Sequence, residues 1–100
     1  MTIGFIGLGN MAKAIISGML AKEVVKPSML SGSARTKETR EAVQKKYGIA
    51  VYEENRQVAR EADILVLAVK PQMMETVIGE IRGDIKPDAV VVSIAAGKSL

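Results

Sequence analysis

The sequence predicts an α/β fold of Rossmann type: a doubly wound parallel sheet with helices on both faces. Three observations carry this. Short β-like runs alternate with amphipathic helical patterns along the chain. One run, Ile64 to Val69, is apolar throughout and mostly β-branched or Leu, as suits a parallel strand covered on both sides. The first run passes into a helix through Gly7-x-Gly9-x-x-Ala12.

Each element has its own signal. Ile3 to Ile6 reads as the first strand. Asn10 to Lys22 follows as a helix, with Met11, Ile15 and Met19, beside Ile16 and Leu20, as its apolar stripe. Ser28 to Ser33 is a second, weaker strand. Thr36 is placed to cap a helix that runs to Tyr47 with Val43 and Tyr47 on one face, and Gly48 is its stop. Ile49 to Tyr52 is a third strand, and Asn55 to Ala62 a short helix with Val58, Ala59 and Ala62 inward and Asn55 as its cap. After the strand Ile64 to Val69, Pro71 opens a helix at the position where a missing N–H costs nothing. Met74, Val77, Ile78 and Ile81 mark that helix's buried face and Gly83 its end. Ala89 to Ile94 is the fifth strand. Strand–helix alternation of this kind implies right-handed crossovers between parallel strands.

Composition narrows the chemistry. The chain has 100 residues, 48% of them apolar, which is one domain with a modest core. It has no Cys and no His, so disulfides, thiolate or imidazole catalysis, and zinc-thiolate or His-ligated metal sites are excluded. The net charge of +3 and three aromatic residues give no reason to propose a nucleic-acid partner. The longest apolar runs, Ile64 to Val69 and Ala89 to Val92, are far too short to span a bilayer, so no membrane partner is expected. No secretory signal is visible at the N-terminus, and the lack of Cys fits a cytoplasmic location.

The glycine turn carries the functional expectation. Gly7 permits the tight turn, Gly9 lets a pyrophosphate approach the backbone, and Ala12 lets the helix pack closely on the sheet. The helix N-terminus, with Asn10 and Met11 at its mouth, then offers free N–H groups to phosphate. NAD-binding versions of the motif place an acid about 20 residues on, at the end of the second strand. Here residues 29 to 35 contain no acid, and Ser33 and Arg35 stand at that position. A hydroxyl and a guanidinium suit a 2′-phosphate, so the expected cofactor is NADP(H). In an open parallel sheet, ligands bind beyond the carboxyl ends of the strands. The ends of strands four and five, Ala68-Val69-Lys70-Pro71-Gln72 and Ser93-Ile94-Ala95-Ala96-Gly97, are therefore the other places to look, with Lys70 the charged side chain at that rim. The acidic residues show no spacing that points to a metal site or an acid/base pair.

Together, Ile3-Gly4-Phe5-Ile6-Gly7-Leu8-Gly9-Asn10-Met11-Ala12, Ala68-Val69-Lys70-Pro71-Gln72 and Val92-Ser93-Ile94-Ala95-Ala96-Gly97 resemble the pyrroline-5-carboxylate reductases. The resemblance covers essentially the whole chain, and the two later motifs separate it from related hydroxyacid dehydrogenases. It implies NADP contacts from Ile6, Gly7, Leu8, Gly9, Asn10 and Met11 at the pyrophosphate and from Ser33 near the adenosine phosphate. It places Asn55 by the adenosine half, and Ala68, Val69, Lys70 and Pro71 with Ile94, Ala95 and Ala96 at the nicotinamide. Arg35 rests on the argument from charge instead. The reaction implied is hydride transfer from NADPH to the C=N carbon of 1-pyrroline-5-carboxylate, giving L-proline, with alignment as the enzyme's main contribution. Members of the family continue into a helical domain that forms the dimer and most of the substrate pocket. The expectation is that residues 1 to 100 are the cofactor-binding half, inactive alone, of a homo-oligomeric enzyme. A non-catalytic NADPH-binding module, or a related hydroxyacid or imine reductase, are the competing readings.

Overall fold

The structure, a computed structural model, describes residues 1 to 94. The elements run β1 (Ile3–Ile6), α1 (Asn10–Ala21), a 3-10 turn (Pro27–Met29), β2 (Leu30–Ser33), α2 (Lys37–Tyr47), β3 (Ala50–Tyr52), α3 (Asn55–Glu61), β4 (Ile64–Leu67), α4 (Pro71–Ile81) and β5 (Val90–Ser93). All strands are parallel, in the order β3-β2-β1-β4-β5. This is the strand order of a Rossmann sheet through its fifth strand. Ile3 of β1 pairs with Leu30 on one side and Ile64 on the other, so the first strand lies at the centre.

Side-chain alternation along the strands divides the interior into two layers. Ile3 and Phe5 of β1 pack with Leu30, Val66, Ala12 and Ile16 of α1 and Val43 of α2. Ile6 turns the other way and packs with Leu65, Leu67, Val58 and Ala59 of α3, and Val77 and Ile81 of α4. Gly4 lies between, and a Cβ there would come within 2.5 Å of Val58 Cγ1, so α3 rests directly on the centre of the sheet. Helices thus cover both faces, as the alternating pattern predicts.

The helix ends behave as their residues dictate. The Thr36 Oγ1 accepts from the Thr39 N–H, and Gly48, at φ +71°, closes α2 in a left-handed turn. Pro71 is the first residue of α4. Several expectations shift. The stretch expected as a strand from Ser28 begins as the 3-10 turn, because Pro27 fixes a helical φ and offers no ladder N–H. The strand expected from Ile64 to Val69 ends at Leu67, where the chain turns toward Pro71. Ile78 is 41% exposed, although the periodicity puts it on the buried face. β5 is the edge strand, and its Val90, Val91, Val92 and Ser93 are all exposed. Met11, counted in the α1 stripe, is also exposed, because it lies at the open mouth of α1. α4 ends at Ile81 instead of Gly83.

Candidate functional site

The carboxyl ends of β1 and β4 meet where the chain, having gone left to β2 and β3, returns to build the right half of the sheet. The Ala68 N–H donates to the Ile6 carbonyl at 2.9 Å. Gly7 follows at φ +92°, and a Cβ there would lie 2.6 Å from the Ala68 carbonyl oxygen. Only glycine meets both demands, the left-handed backbone and the close approach to β4. Gly9 differs. It is the N-cap of α1 at φ −82°, ordinary backbone, and a Cβ there would find no heavy atom within 4 Å. Its side-chain position opens into free space.

That space is a cleft of about 650 Å3. Its floor is the Ile6 to Ala12 turn. α1 begins there with no side chain capping its N-terminus and no acid in its first turn. The orphan N–H groups and the positive end of the helix dipole are left to whatever fills the cleft. One wall is the end of β2 and the start of α2, contributing Ser33, Ala34, Arg35, Thr36 and Thr39, with Asn55 from α3. The opposite wall is Ala68, Val69 and Lys70 with Met73 and Val77 of α4.

The β2–α2 loop is held from behind. Arg40 Nη1 donates to the carbonyls of Ala34 and Arg35 at 3.0 and 2.8 Å. Arg35 itself is exposed, and among the described residues its guanidinium has no hydrogen-bond or ion-pair partner. Asn55 is not the cap that a sequence reading makes it. Glu54 holds the N-cap position, and Asn55 turns its side chain to its neighbours, accepting from the Ser33 hydroxyl at 2.6 Å and donating to Glu80 at 2.7 Å.

Of the residues singled out from the sequence, Ile6, Gly7, Leu8, Gly9, Asn10, Met11, Ser33, Arg35, Asn55, Ala68, Val69 and Lys70 all line this one cleft. Pro71 and Ile94 stand outside its lining, and Ala95 and Ala96 lie outside the described residues. The sequence reading missed Thr39, Met73, Val77 and Glu80. Thr39 had a signal, being one turn into α2 from Thr36 and so on the same side. The others come from α4, whose placement over β4 decides their neighbours.

A dinucleotide phosphate fits these residues. The open Gly9 position, the uncapped α1 terminus and an Arg35 with no partner among the described residues are features that a closed structural turn does not need. Comparison with known proteins agrees. The family model described as NADP oxidoreductase coenzyme F420-dependent matches residues 2–97. The pyrroline-5-carboxylate reductase of Escherichia coli (strain K12) is 42% identical over 98 residues, covering 98% of this chain and 36% of its own length. The solved pyrroline-5-carboxylate reductase of Coxiella burnetii superposes with a TM-score of 0.88 at 34% identity, over 96% of this chain and 36% of that one. The Plasmodium falciparum pyrroline carboxylate reductase, solved with NADP bound, gives 0.79 at 28% identity, over 94% and 33%. The resemblance read from the motifs is therefore borne out, while the chain spans a little over a third of the length of the relatives it matches. The chain belongs to the NADP oxidoreductase, coenzyme F420-dependent family, and NADP(H), the cofactor expected from its sequence, is the nucleotide of that family's description.

Proposed function

We propose that this chain is the cofactor-binding half of an NADPH-dependent pyrroline-5-carboxylate reductase, which catalyses the last step of proline formation in the cytoplasm as a homo-oligomer. The observation that supports it best is the gathering of the glycine turn, Ser33, Arg35, Asn55 and the Ala68-Val69-Lys70 strand end around one cleft. In this reading the α1 N-terminus and the Gly9 backbone hold the pyrophosphate. Arg35 and the Ser33–Asn55 pair flank the adenosine ribose and its 2′-phosphate. The small and apolar residues Ala68 and Val69 bound the nicotinamide side and exclude water from it. When bound, NADPH supplies the hydride that reduces the C=N carbon of the substrate ring. The chain's part is orientation, holding the donor ring against the ends of β1 and β4 so that one face is presented. The substrate pocket belongs to the remainder of the protein.

The test is a titration with NADPH and NADH in parallel, followed by nicotinamide fluorescence. Saturable binding with a clear NADPH preference is expected, and turnover of 1-pyrroline-5-carboxylate by the full-length protein but not by residues 1 to 100. Equal affinity for the two nucleotides removes the 2′-phosphate assignment. Full activity of the 100-residue chain overturns its assignment as half of the enzyme.

A further inference from the structure

Three side chains from three elements form a chain that leads from the wall of the cleft, at Ser33 and Asn55, to Glu80 beside it. Ser33 ends β2 and is almost fully buried, Asn55 opens α3, and Glu80 lies exposed in the last turn of α4. The Ser33 hydroxyl donates to Asn55 Oδ1 at 2.6 Å, and Asn55 Nδ2 donates to Glu80 Oε1 at 2.7 Å. Beside them a smaller recess of about 180 Å3 is lined by Arg35, Asn55, Glu80, Glu53 and Glu54. The region that lacks an acid in the β2 sequence is thus supplied with acids from β3–α3 and α4.

The directions of these hydrogen bonds follow from the groups. An ionised carboxylate only accepts. Glu80 therefore requires the NH2 side of Asn55, which turns Oδ1 toward Ser33. A hydroxyl facing a carbonyl oxygen has to donate, and serine has a single proton to give. A phosphate needs donors, and the Ser33 proton is already engaged. A ribose 2′-hydroxyl, in contrast, can donate to the Ser33 oxygen and meets no such obstacle.

We propose that Glu80 is a positioning residue that sets cofactor preference: through Asn55 it holds the Ser33 proton away from a 2′-phosphate and narrows the margin by which NADP(H) is preferred over NAD(H). This rests on the reading above that the adenosine ribose lies between Arg35, Ser33 and Asn55. Glutamine at position 80 presents either an oxygen or an NH2 group. Asn55 can then turn over, Ser33 can accept from it, and the hydroxyl proton is released to the phosphate.

The experiment measures Kd for NADPH and NADH, at one fixed salt concentration, for the wild-type protein, Glu80→Gln, Ser33→Ala and the double variant. Glu80→Gln is expected to raise the NADPH-to-NADH affinity ratio about tenfold, the scale of one hydrogen bond to a charged group. The gain is expected to vanish when Ser33 is alanine. The same cancellation is expected in an Asn55→Ala background, which breaks the relay without altering the buried serine. A gain that survives both backgrounds overturns the proposal, because removing a negative charge near the phosphate then accounts for it. An unchanged ratio in Glu80→Gln overturns the proposal and leaves the nucleotide site standing, provided that the wild type binds NADPH saturably. A wild type that binds neither nucleotide overturns the reading of the cleft, and this proposal with it.

Discussion

One added methyl group separates the roles of the two turn glycines. Gly7→Ala forces a Cβ onto the Ala68 carbonyl and an alanine into left-handed backbone. It should destabilise the chain by about 2 kcal/mol or more, read from chemical denaturation. Gly9→Ala meets no nearby atom of the described residues, so its cost to stability should stay below about 1 kcal/mol. Its Cβ nonetheless stands in the cleft, and NADPH affinity should fall; unchanged affinity would remove the pyrophosphate from that position. Among the described residues the Arg35 guanidinium has no partner to lose. Arg35→Ala should therefore leave the melting temperature unaltered and weaken NADPH roughly 10- to 100-fold, with NADH changed far less. Equal losses for both nucleotides would refute the phosphate contact. These three residues were legible in the sequence because the demands on them are local: backbone shape, free approach, and a charge at a fixed distance from the turn. The Ser33–Asn55–Glu80 chain was not, because its members come from three elements and meet only when α3 and α4 have packed on the sheet.

Helix α3 is seven residues long, too short to be stable by itself, and it is held by tertiary contacts. Val58, Ala59 and the adjoining Ala62 are fully buried beneath it. On its outer side Arg56 and Arg60 reach Asp84, just beyond α4, at 2.7 and 2.9 Å. Hydrogen bonds from Arg56 and then Arg60 hold the Asp84 carboxyl below its ordinary range. A carboxyl depressed in the folded state adds stability at neutral pH, and that stability is lost as the pH falls below about 4, through the folded value. Asp84→Asn should lower the melting temperature at pH 7, and the gap to wild type should close in acid. A gap independent of pH would show that the clamp's charge contributes nothing. Element type was read correctly throughout, since periodicity and capping residues are properties of the segments themselves. The differences lie at ends and margins. Pro27 turned the start of the second strand into a helical turn, and Ile78 is exposed although the periodicity of α4 counts it inward.

At the scale of the molecule, the sheet is finished on one side and open on the other. β3 ends the left edge with only three residues, whereas β5 offers a row of exposed valines on the right. Val90 and Val92 point to one face and Val91 to the other, so both faces of this edge strand present exposed apolar side chains among the described residues. Such an edge promotes association. The 100-residue chain should self-associate as its concentration rises, seen by sedimentation velocity. Val90→Lys with Val92→Lys should return it to monomer without loss of NADPH binding. A wild-type chain that remains monomeric throughout would show that the open edge is tolerated. The overall topology was legible because strand–helix alternation leaves few arrangements, but which strand would be left exposed depends on the strand order, and no single segment encodes that.

The central position of β1 also bears on the protein's birth on the ribosome. Ile3–Ile6 is synthesised well before its partner Ile64, which follows by more than half the length of this sequence. At translation rates of about 5 to 20 residues per second, these residues wait roughly 3 to 12 s for their second neighbour. During that interval a fully apolar segment, buried on every side in the finished sheet, is available to chaperones or to other nascent chains. The strand that runs into the glycine turn therefore gains its second neighbour only after β2, α2, β3 and α3 have been made.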